Sequence, residues 1–252
     1  MATFRNATSA SFNAASGTVS KPTGLAQNDL QLAFINADSG GATVSISGGA
    51  TWTRIGSNLF NFNGDGQAVG LFWQIAGAAE PSTYTVTNNA SSYTAVVLVA
   101  YSGADTASPI AAEGVTNPNL ASPPSSPVSM ATTAITTTAA NQTVCWFGCV
   151  DWSIGGAPAF TDPSSTTRRV AETPGTLFAN GICCDFVQVS QGSTGTITGT
   201  GTLATAVGNF VGWLVAIKDA AGGGGGGGTT ALNEAGWYPM EQQTSPTAIT
   251  VY

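Results

Sequence analysis

Apolar and polar positions alternate with a period of two along most of the chain. Runs rich in β-branched and aromatic residues, such as Leu30–Ile35, Gln67–Ile75 and Thr83–Thr87, are bounded by Gly, Asn, Pro or Ser. In Ala95–Ala100 and Phe210–Ile217 nearly every position is apolar, which is typical of central strands covered on both faces. No stretch keeps a helical apolar period over the length of a helix. We therefore predict an all-β protein with the many short strands of a sandwich or barrel.

Five short blocks recur in the same order in the two halves of the chain, 111 to 116 residues apart. The paired blocks are Asp29–Asp38 with Asn141–Asp151, Trp52–Arg54 with Thr167–Arg169, Phe72–Ile75 with Phe186–Val189, Thr85–Thr87 with Thr196–Thr198, and Leu98–Ala100 with Leu214–Ala216. They predict two similar halves, residues 18–105 and 127–219, joined by a Pro- and Ser-rich crossover at Asn117–Pro127. We expect the halves to close over one core as a jelly-roll-like antiparallel β-sandwich, with two tandem small sandwiches as the lesser alternative. Chance recurrence of Val and Thr, which every β protein contains, is the competing explanation of the blocks.

The composition changes abruptly after Asp219. Residues 1–221 form the predicted sandwich, Gly222–Gly228 is a poly-Gly linker, and residues 229–252 form a C-terminal tail. The tail concentrates aromatic residues and Met, which are the anchors of protein interfaces and are depleted in disordered segments. We predict an extended C-terminal arm that binds a partner protein through seven residues: Trp237, Tyr238, Pro239, Met240, Ile249, Val251 and Tyr252.

The charge composition excludes several classes of function. Only 8% of residues are charged, and the net charge is −7. Because 58 residues are Ser or Thr, we expect hydroxyl and amide groups to supply most of the polar surface. Nucleic acids and anionic membranes need clustered Lys and Arg, which the chain lacks. With no His, neither a Ser-His-Asp triad nor a His-ligated metal can form. We predict a protein that is not an enzyme and needs no cofactor.

The N-terminal segment Met1–Asn13 lacks the apolar core of a signal peptide, so we expect synthesis in a cytosol and reduced cysteines. The cysteines are spaced as C-x3-C and C-C, which fits neither structural zinc nor thiol redox motifs. We predict that they fill the core, with Cys145 and Cys149 on one face of a strand and Cys183 and Cys184 on opposite faces. No metal site is predicted, and the calcium-like Asn61–Gly66 is interpreted as a hairpin turn because its twelfth position is Phe72.

The remaining candidates for chemistry are acids, a basic pair and tryptophans. The acids at predicted strand ends, from which a glycosidase pair would have to come, are Asp38, Asp105, Glu113, Asp151, Asp162, Glu172 and Asp185. The pair Arg168–Arg169 is suited to a carboxylate or phosphate, but we expect one of the two to face outward in a surface ion pair. The tryptophans in or beside strands, Trp52, Trp73, Trp146 and Trp152, are expected to pack in the core rather than to stack on sugars.

Residues 18–219 resemble a family of β-sandwich proteins encoded by tailed phages and prophages. The blocks that carry the resemblance are Lys21–Phe34, Thr51–Thr53, Phe72–Thr85, Tyr101–Asp105, Ser108–Ile110 and Ile135–Asn141. The two-halved pattern belongs to the same family, whose members are head decorations, head fibres, tail fibres or baseplate parts. The resemblance brings no catalytic residues, and the poly-Gly linker and the tail lie outside it.

This resemblance implies a structural protein of the virion, assembled in the cytoplasm of a bacterial host. We expect a capsid decoration or cement protein that is tethered through its C-terminal tail to other virion proteins. A homo-oligomer is expected, with a trimer as a common form in the family. The alternative is a receptor- or glycan-binding module of a tail fibre or baseplate, for which a host surface glycan would be the partner. An enzyme acting through paired acids is the third alternative.

Overall fold

The computed structural model describes residues 1–38, 43–61, 67–116, 126–152, 157–174, 178–203 and 207–221. For residues 57–61, 151–152 and 207–209 the description is limited to the backbone. Within these ranges the chain forms antiparallel strands and no helix, so the predicted all-β class is confirmed. Accordingly, none of the described segments is a helix long and apolar enough to cross a membrane.

Sixteen strands are formed within the described residues, six before residue 105 and ten after it. The first six are β1 (Thr3–Ser20), β2 (Leu30–Asp38), β3 (Val44–Ser47), β4 (Thr53–Asn61), β5 (Gln67–Ile75) and β6 (Thr83–Ser102). The others are β7 (Ile110–Thr116), β8 (Val128–Ala131), β9 (Thr136–Thr137), β10 (Gln142–Trp152), β11 (Ala159–Thr161), β12 (Thr167–Glu172), β13 (Gly181–Gln188), β14 (Gly192–Ser193), β15 (Thr198–Thr202) and β16 (Val207–Ile217).

Two large sheets form the body of the molecule, and each comes from one half of the chain. The first large sheet has the order β1-β6-β2-β5-β4, with β3 paired to the N-terminal part of β6. The second large sheet has the order β12-β13-β10-β16-β7. A three-stranded sheet, β11-β15-β8, and a two-stranded ribbon, β14-β9, complete the second half. The protein is therefore an antiparallel β-sandwich.

The two large sheets pack face to face around the central core. Alternate residues of the facing strands enter this core, because successive side chains of a strand point to opposite faces. The buried residues from the central strands of both sheets are Leu30, Leu32, Phe34, Val69, Leu71, Val97, Val99, Tyr101, Cys145, Phe147, Cys149, Cys183, Val211, Trp213, Val215 and Ile217. At the middle of this layer the rings of Phe34 and Phe147 stack with their centroids 5.6 Å apart.

The outer face of each large sheet is also covered. Val19, Val44, Ile46, Tyr84 and Val86 cover the first sheet, and they come from β3 and from the ends of β1 and β6 that pair with each other. The second sheet is covered by the three-stranded sheet, from which Val128 and Met130 pack against Val144, Trp146 and Val150. Because both faces are covered, β6 and β16 are buried at nearly every described position of their apolar runs, as their sequences predict.

Strands of the two halves occupy equivalent places in the two large sheets. The correspondence appears when the first sheet is followed from β1 and the second from β7. The order β1-β6-β2-β5-β4 then matches the order β7-β16-β10-β13-β12, strand by strand. The registers agree as well: with Phe34 matched to Phe147, their partners on the next strands are Val97 and Trp213. Since Phe34 and Phe147 touch each other, the local two-fold relation between the halves passes through the central core.

The jelly-roll wiring and the C-terminal arm are not confirmed. The six strands of the first half stay in one sheet, and the arm lies outside the described residues. Each half instead buries its own outer layer, and the halves share the central core. The bounds of the predicted halves remain a prediction, and the crossover at Asn117–Pro127 is described only from Ser126 onward.

Candidate functional site

The predicted partner-binding residues lie outside the described part of the chain. They are Trp237, Tyr238, Pro239, Met240, Ile249, Val251 and Tyr252. The poly-Gly linker at residues 222–228 lies outside it too. The structure therefore describes the point at which the tail leaves the body and not the tail itself.

A set of contacts, named here the exit clamp, fixes the chain just before the poly-Gly linker. The amide of Ala2 donates a hydrogen bond to Asp219 Oδ1 at 2.6 Å, and the amide of Ala220 donates to the carbonyl of Gly103 at 2.9 Å. One residue earlier, Lys218 Nζ lies 2.8 Å from Asp105 Oδ2. The chain is thus held, as far as Ala220, to Ala2 just before β1 and to Gly103 just after β6.

The Asp105 carboxylate is the most strongly held charge of the exit clamp. It accepts a hydrogen bond from Lys218, and the amides of Ser108 and Ala107 donate to its Oδ1 at 3.0 and 2.8 Å. These donors lower the pKa of Asp105 to about 2, with Lys218 as the largest cause. The carboxylate therefore stays ionised at any pH at which the protein would normally be handled.

A groove with a volume of about 390 Å³ opens beside the exit clamp, between β1 of the first half and β12 and β13 of the second. We name it the Arg169 groove. Its walls carry a charged pair, aromatic rings and hydroxyl side chains: Phe4, Thr143, Thr167, Arg169, Asp185 and Phe186. Ala2 belongs both to this groove and to the exit clamp, so the two features share one corner of the body.

Four side chains hold one another in a closed ring at the floor of the Arg169 groove. Arg169 Nε donates to Asp185 Oδ1 at 2.8 Å, and the Tyr101 hydroxyl donates to Asp185 Oδ2 at 2.8 Å. The guanidinium carbon of Arg169 lies 4.2 Å from the centroid of Phe4, whose ring meets that of Tyr101 edge to face at 5.7 Å. Every member of the ring is thereby fixed in orientation by two others.

The electrostatics of this ring keep the Arg169 guanidinium charged and the Tyr101 hydroxyl neutral. Burial of the Arg169 guanidinium disfavours its charge, but the hydrogen bond and the attraction of Asp185 outweigh this and raise the pKa of Arg169. Burial is also the main cause that raises the pKa of Tyr101, followed by Cys145, Cys183 and the Asp185 carboxylate. Tyr101 consequently remains a neutral hydrogen-bond donor to Asp185.

The predicted acids are dispersed over the molecule. Asp162 pairs with Arg168, Glu172 accepts a hydrogen bond from the Ser11 hydroxyl at 2.8 Å, and Asp105 and Asp185 have the partners already described. Asp38 is partly buried, which raises its pKa, and the Glu113 carboxylate lies beside Gly56. The Asp151 side chain is outside the described part. No two of the described acids are found as a hydrogen-bonded pair.

The four cysteines occupy the core positions that were predicted for them. All four are buried free thiols, with Cys145, Cys149 and Cys183 in the central core and Cys184 on the opposite face of its sheet. Burial raises the pKa of Cys183, and it is also the main cause that raises the pKa of Cys184 to about 12. Within the described ranges no three His, Cys, Asp or Glu side chains are grouped as metal ligands.

The basic pair behaves differently at its two positions. Arg168 makes the expected exposed ion pair with Asp162, whereas Arg169 turns inward to Asp185. The difference follows from strand alternation, because successive side chains point to opposite faces. A β-bulge lies at the same place: the register of β12 against β13 shifts between Arg168 and Val170 and leaves Arg169 as the extra residue. The alternating pattern alone does not reveal this bulge, nor does it bring Tyr101 next to Asp185, 84 positions along the chain.

A second groove, named the Trp73 groove, lies at the opposite edge of the body. It has a volume of about 340 Å³ and is lined by Arg54, Ile55, Gly56, Trp73, Ile110 and Glu113, among others. Register places Trp73 at the position equivalent to Asp185, and Ile110 at that of Phe4. The fold thus forms the same cleft twice, with different chemistry in each copy.

Two of the other tryptophans named in the sequence analysis have described side chains, and both pack against the body. Trp146 is fully buried, and Trp52 packs edge to face on Tyr84 with ring centroids 5.4 Å apart. The side chain of Trp152 and residues 62–66 of the calcium-like segment are outside the described part. Of the four tryptophans expected to pack in the core, Trp73 alone among those described lines a groove.

Comparison with known proteins gives no relative. No protein-family model, no curated protein and no solved structure matches this chain.

Proposed function

We propose that this protein is a structural component of a tailed-phage virion, a capsid decoration or cement protein tethered through its C-terminal tail. The resemblance in residues 18–219 suggests the virion, and the composition of the tail suggests the tether. Other virion proteins are the expected partners, and a homo-oligomer is the expected form.

The single observation that carries this proposal is the exit clamp. Here the chain is hydrogen-bonded to the body as far as Ala220, so the folded body ends at a defined residue just before the tail. Seven consecutive glycines start two residues later, where the backbone has its greatest conformational freedom. A body whose contacts end at Ala220, followed in the sequence by seven glycines, is the arrangement that a tethered decoration needs.

Burial of the apolar side chains of the tail would offset the cost of ordering its backbone. Burying one large apolar side chain contributes about 1.5–3 kcal/mol. Trp237, Tyr238 and Met240 would together contribute about 4.5–9 kcal/mol, against about 4–8 kcal/mol for ordering the backbone of residues 237–240, so the two terms are similar in size. The glycines need not be ordered, since they only span the distance to the partner.

Deleting residues 222–252 tests the proposal. We expect the truncated body to keep the far-UV circular dichroism and the Tm of the full chain, because the exit clamp ends at Ala220. It should fail to occupy particles assembled without the protein, as measured by densitometry of purified particles. A full-length variant with Trp237, Tyr238 and Met240 changed to Ser should fail equally. The matched control, with Gln242, Gln243 and Thr244 changed to Ser, should bind normally, and wild-type occupancy of the truncated body would refute the tether.

The second candidate function is a glycan-binding module of a tail fibre or baseplate. The Arg169 groove favours it, because it offers a charged pair, aromatic rings and hydroxyls in one cleft of small-molecule size. Cryo-electron microscopy of the particle separates the candidates, since a decoration protein follows the capsid lattice and a fibre or baseplate protein is confined to the tail.

A further inference from the structure

The Arg169 groove presents a guanidinium that is fixed on one side and open on the other. Nε is bound to Asp185, and the plane of the group is held over Phe4. Among the described residues the two terminal nitrogens, Nη1 and Nη2, have no hydrogen-bond partner, while the side chain is 27% exposed. Arginine has five N–H donors in a planar fork, so donors directed away from Asp185 remain for another group.

Packing alone does not require this ion pair. The equivalent cleft in the other half has Trp73 where this one has Asp185, so the fold accepts an uncharged side chain at that position. Replacing a buried ion pair by apolar residues is often neutral or stabilising. A buried carboxylate that is used to hold an arginine in one orientation is typical of a binding site.

We propose that the Arg169 groove binds the carboxylate of an acidic sugar through the terminal nitrogens of Arg169. A carboxylate offers two coplanar oxygens that match the fork of a guanidinium. The sugar ring would lie along the groove, whose volume of about 390 Å³ falls within the range of roughly 300–1,000 Å³ for small-molecule sites. Thr3, Ser165 and Thr167 line the groove and offer hydroxyls to the hydroxyls of the ring.

The charges of the groove and of the whole protein favour a ligand with a single carboxylate over a polyanion. Arg169 and Asp185 form a neutral pair, and the whole protein carries a net charge of −7, so a polyanion gains nothing from the surrounding field. Recognition then depends on directed hydrogen bonds to one carboxylate and on contacts with the ring. This inference rests on the second candidate function and is independent of the tether, so a failure to bind sugars would leave the truncation experiment unaffected.

Titration of the full-length protein with sodium glucuronate and with N-acetylneuraminate tests the proposal. The readout is the side-chain Nε–Hε resonance of Arg169 in two-dimensional NMR, one of four arginines in the chain. Methyl glucoside is the neutral control, and acetate is the control for a carboxylate without a ring. We expect saturable shifts of the Arg169 resonance with at least one sugar acid, and markedly weaker effects with both controls.

Variants then separate binding from folding. Arg169→Gln should weaken the binding of the sugar acid by at least about tenfold, because a hydrogen-bonded charge contributes about 1.5–3 kcal/mol. The matched control Arg168→Gln changes the neighbouring, outward-facing arginine and should bind as the wild type does. If Arg169→Gln does not fold, the double variant Arg169→Gln/Asp185→Asn removes both charges of the pair together and should fold without binding.

Three results would overturn the proposal. They are no shift of Arg169 with either sugar acid, equal affinity for acetate and the sugar acids, and undiminished binding by a folded Arg169 variant. Equal weakening by Arg168→Gln and Arg169→Gln would also contradict it, because the effect would then come from surface charge in general.

Discussion

Truncating Phe34 or Phe147 perturbs the contact that joins the two halves of the body. The two rings stack 5.6 Å apart, and their side chains are 1% and 0% exposed. Replacing one buried Phe by Ala costs about 3–5 kcal/mol. Since a body of this size loses about 2–4 °C in Tm per kcal/mol, each variant should melt about 6–20 °C lower than the wild type.

A double-mutant cycle measures the contact itself. A stacked aromatic pair contributes about 0.5–1.5 kcal/mol beyond the area it buries, so the double variant should lose less than the sum of the single losses. The matched control pairs Phe34→Ala with Phe160→Ala, because Phe160 packs on the outer face of the second large sheet. The control pair should be additive to within about 0.5 kcal/mol.

Differential scanning calorimetry gives the result that would refute this reasoning. Because the halves share the central core, the body should unfold in one transition that moves as a whole with either variant. Two transitions, of which only one responds to Phe34→Ala, would mean that each half is stable alone. A coupling energy of zero between Phe34 and Phe147 would mean that the stacked contact contributes nothing.

Two further predictions concern the thiols and the exit clamp. The four cysteines should not react with Ellman's reagent in the native protein at mildly alkaline pH, and all should react in denaturant, because they are buried and the pKa values of Cys183 and Cys184 are raised. Fast native labelling of any of them would contradict the burial. Asp105 has a pKa lowered from 3.8 to about 2, so its contribution to stability is complete above pH 3.8 and is lost as the pH falls towards 2. The Tm difference between wild type and Asp105→Asn should therefore shrink over that interval, and a difference that stays constant would exclude the ion pair with Lys218.

The strands of the central core can be predicted from the sequence, because the apolar pattern of each one lies within a short run of residues. The run Ala95–Ala100 is buried on both faces of β6, as its uninterrupted apolar pattern predicts. The separation between Phe34 and Phe147 is 113 residues and that between Leu98 and Leu214 is 116, as in the sequence blocks. Local periodicity thus identifies which strands exist.

The register and the ends of the strands depend on tertiary contacts, which the apolar periodicity of the sequence does not reveal. The sequence blocks match Phe72 with Phe186, but the pairing of β5 and β13 with their neighbours makes Phe72 equivalent to Cys184. The Thr- and Gly-rich run from Thr194 to Thr202 is a strand only from Thr198 onward. A Cβ on Gly199 would lie 2.5 Å from the Trp146 ring, so the glycine there is required by a side chain 53 positions away.

The position of the exit clamp has a mechanical consequence for a tethered protein. β16, the last strand before the clamp, is not an edge strand: it pairs with β10 on one side and with β7 on the other. A force applied through the tail therefore acts along a strand that is hydrogen-bonded on both sides and buried on both faces. Asp219 also bridges to Ala104 at the end of the first half, so the load is shared by both large sheets. If the tail tethers the protein as proposed, attachment at this corner would load a central strand rather than separate an edge strand from the sandwich.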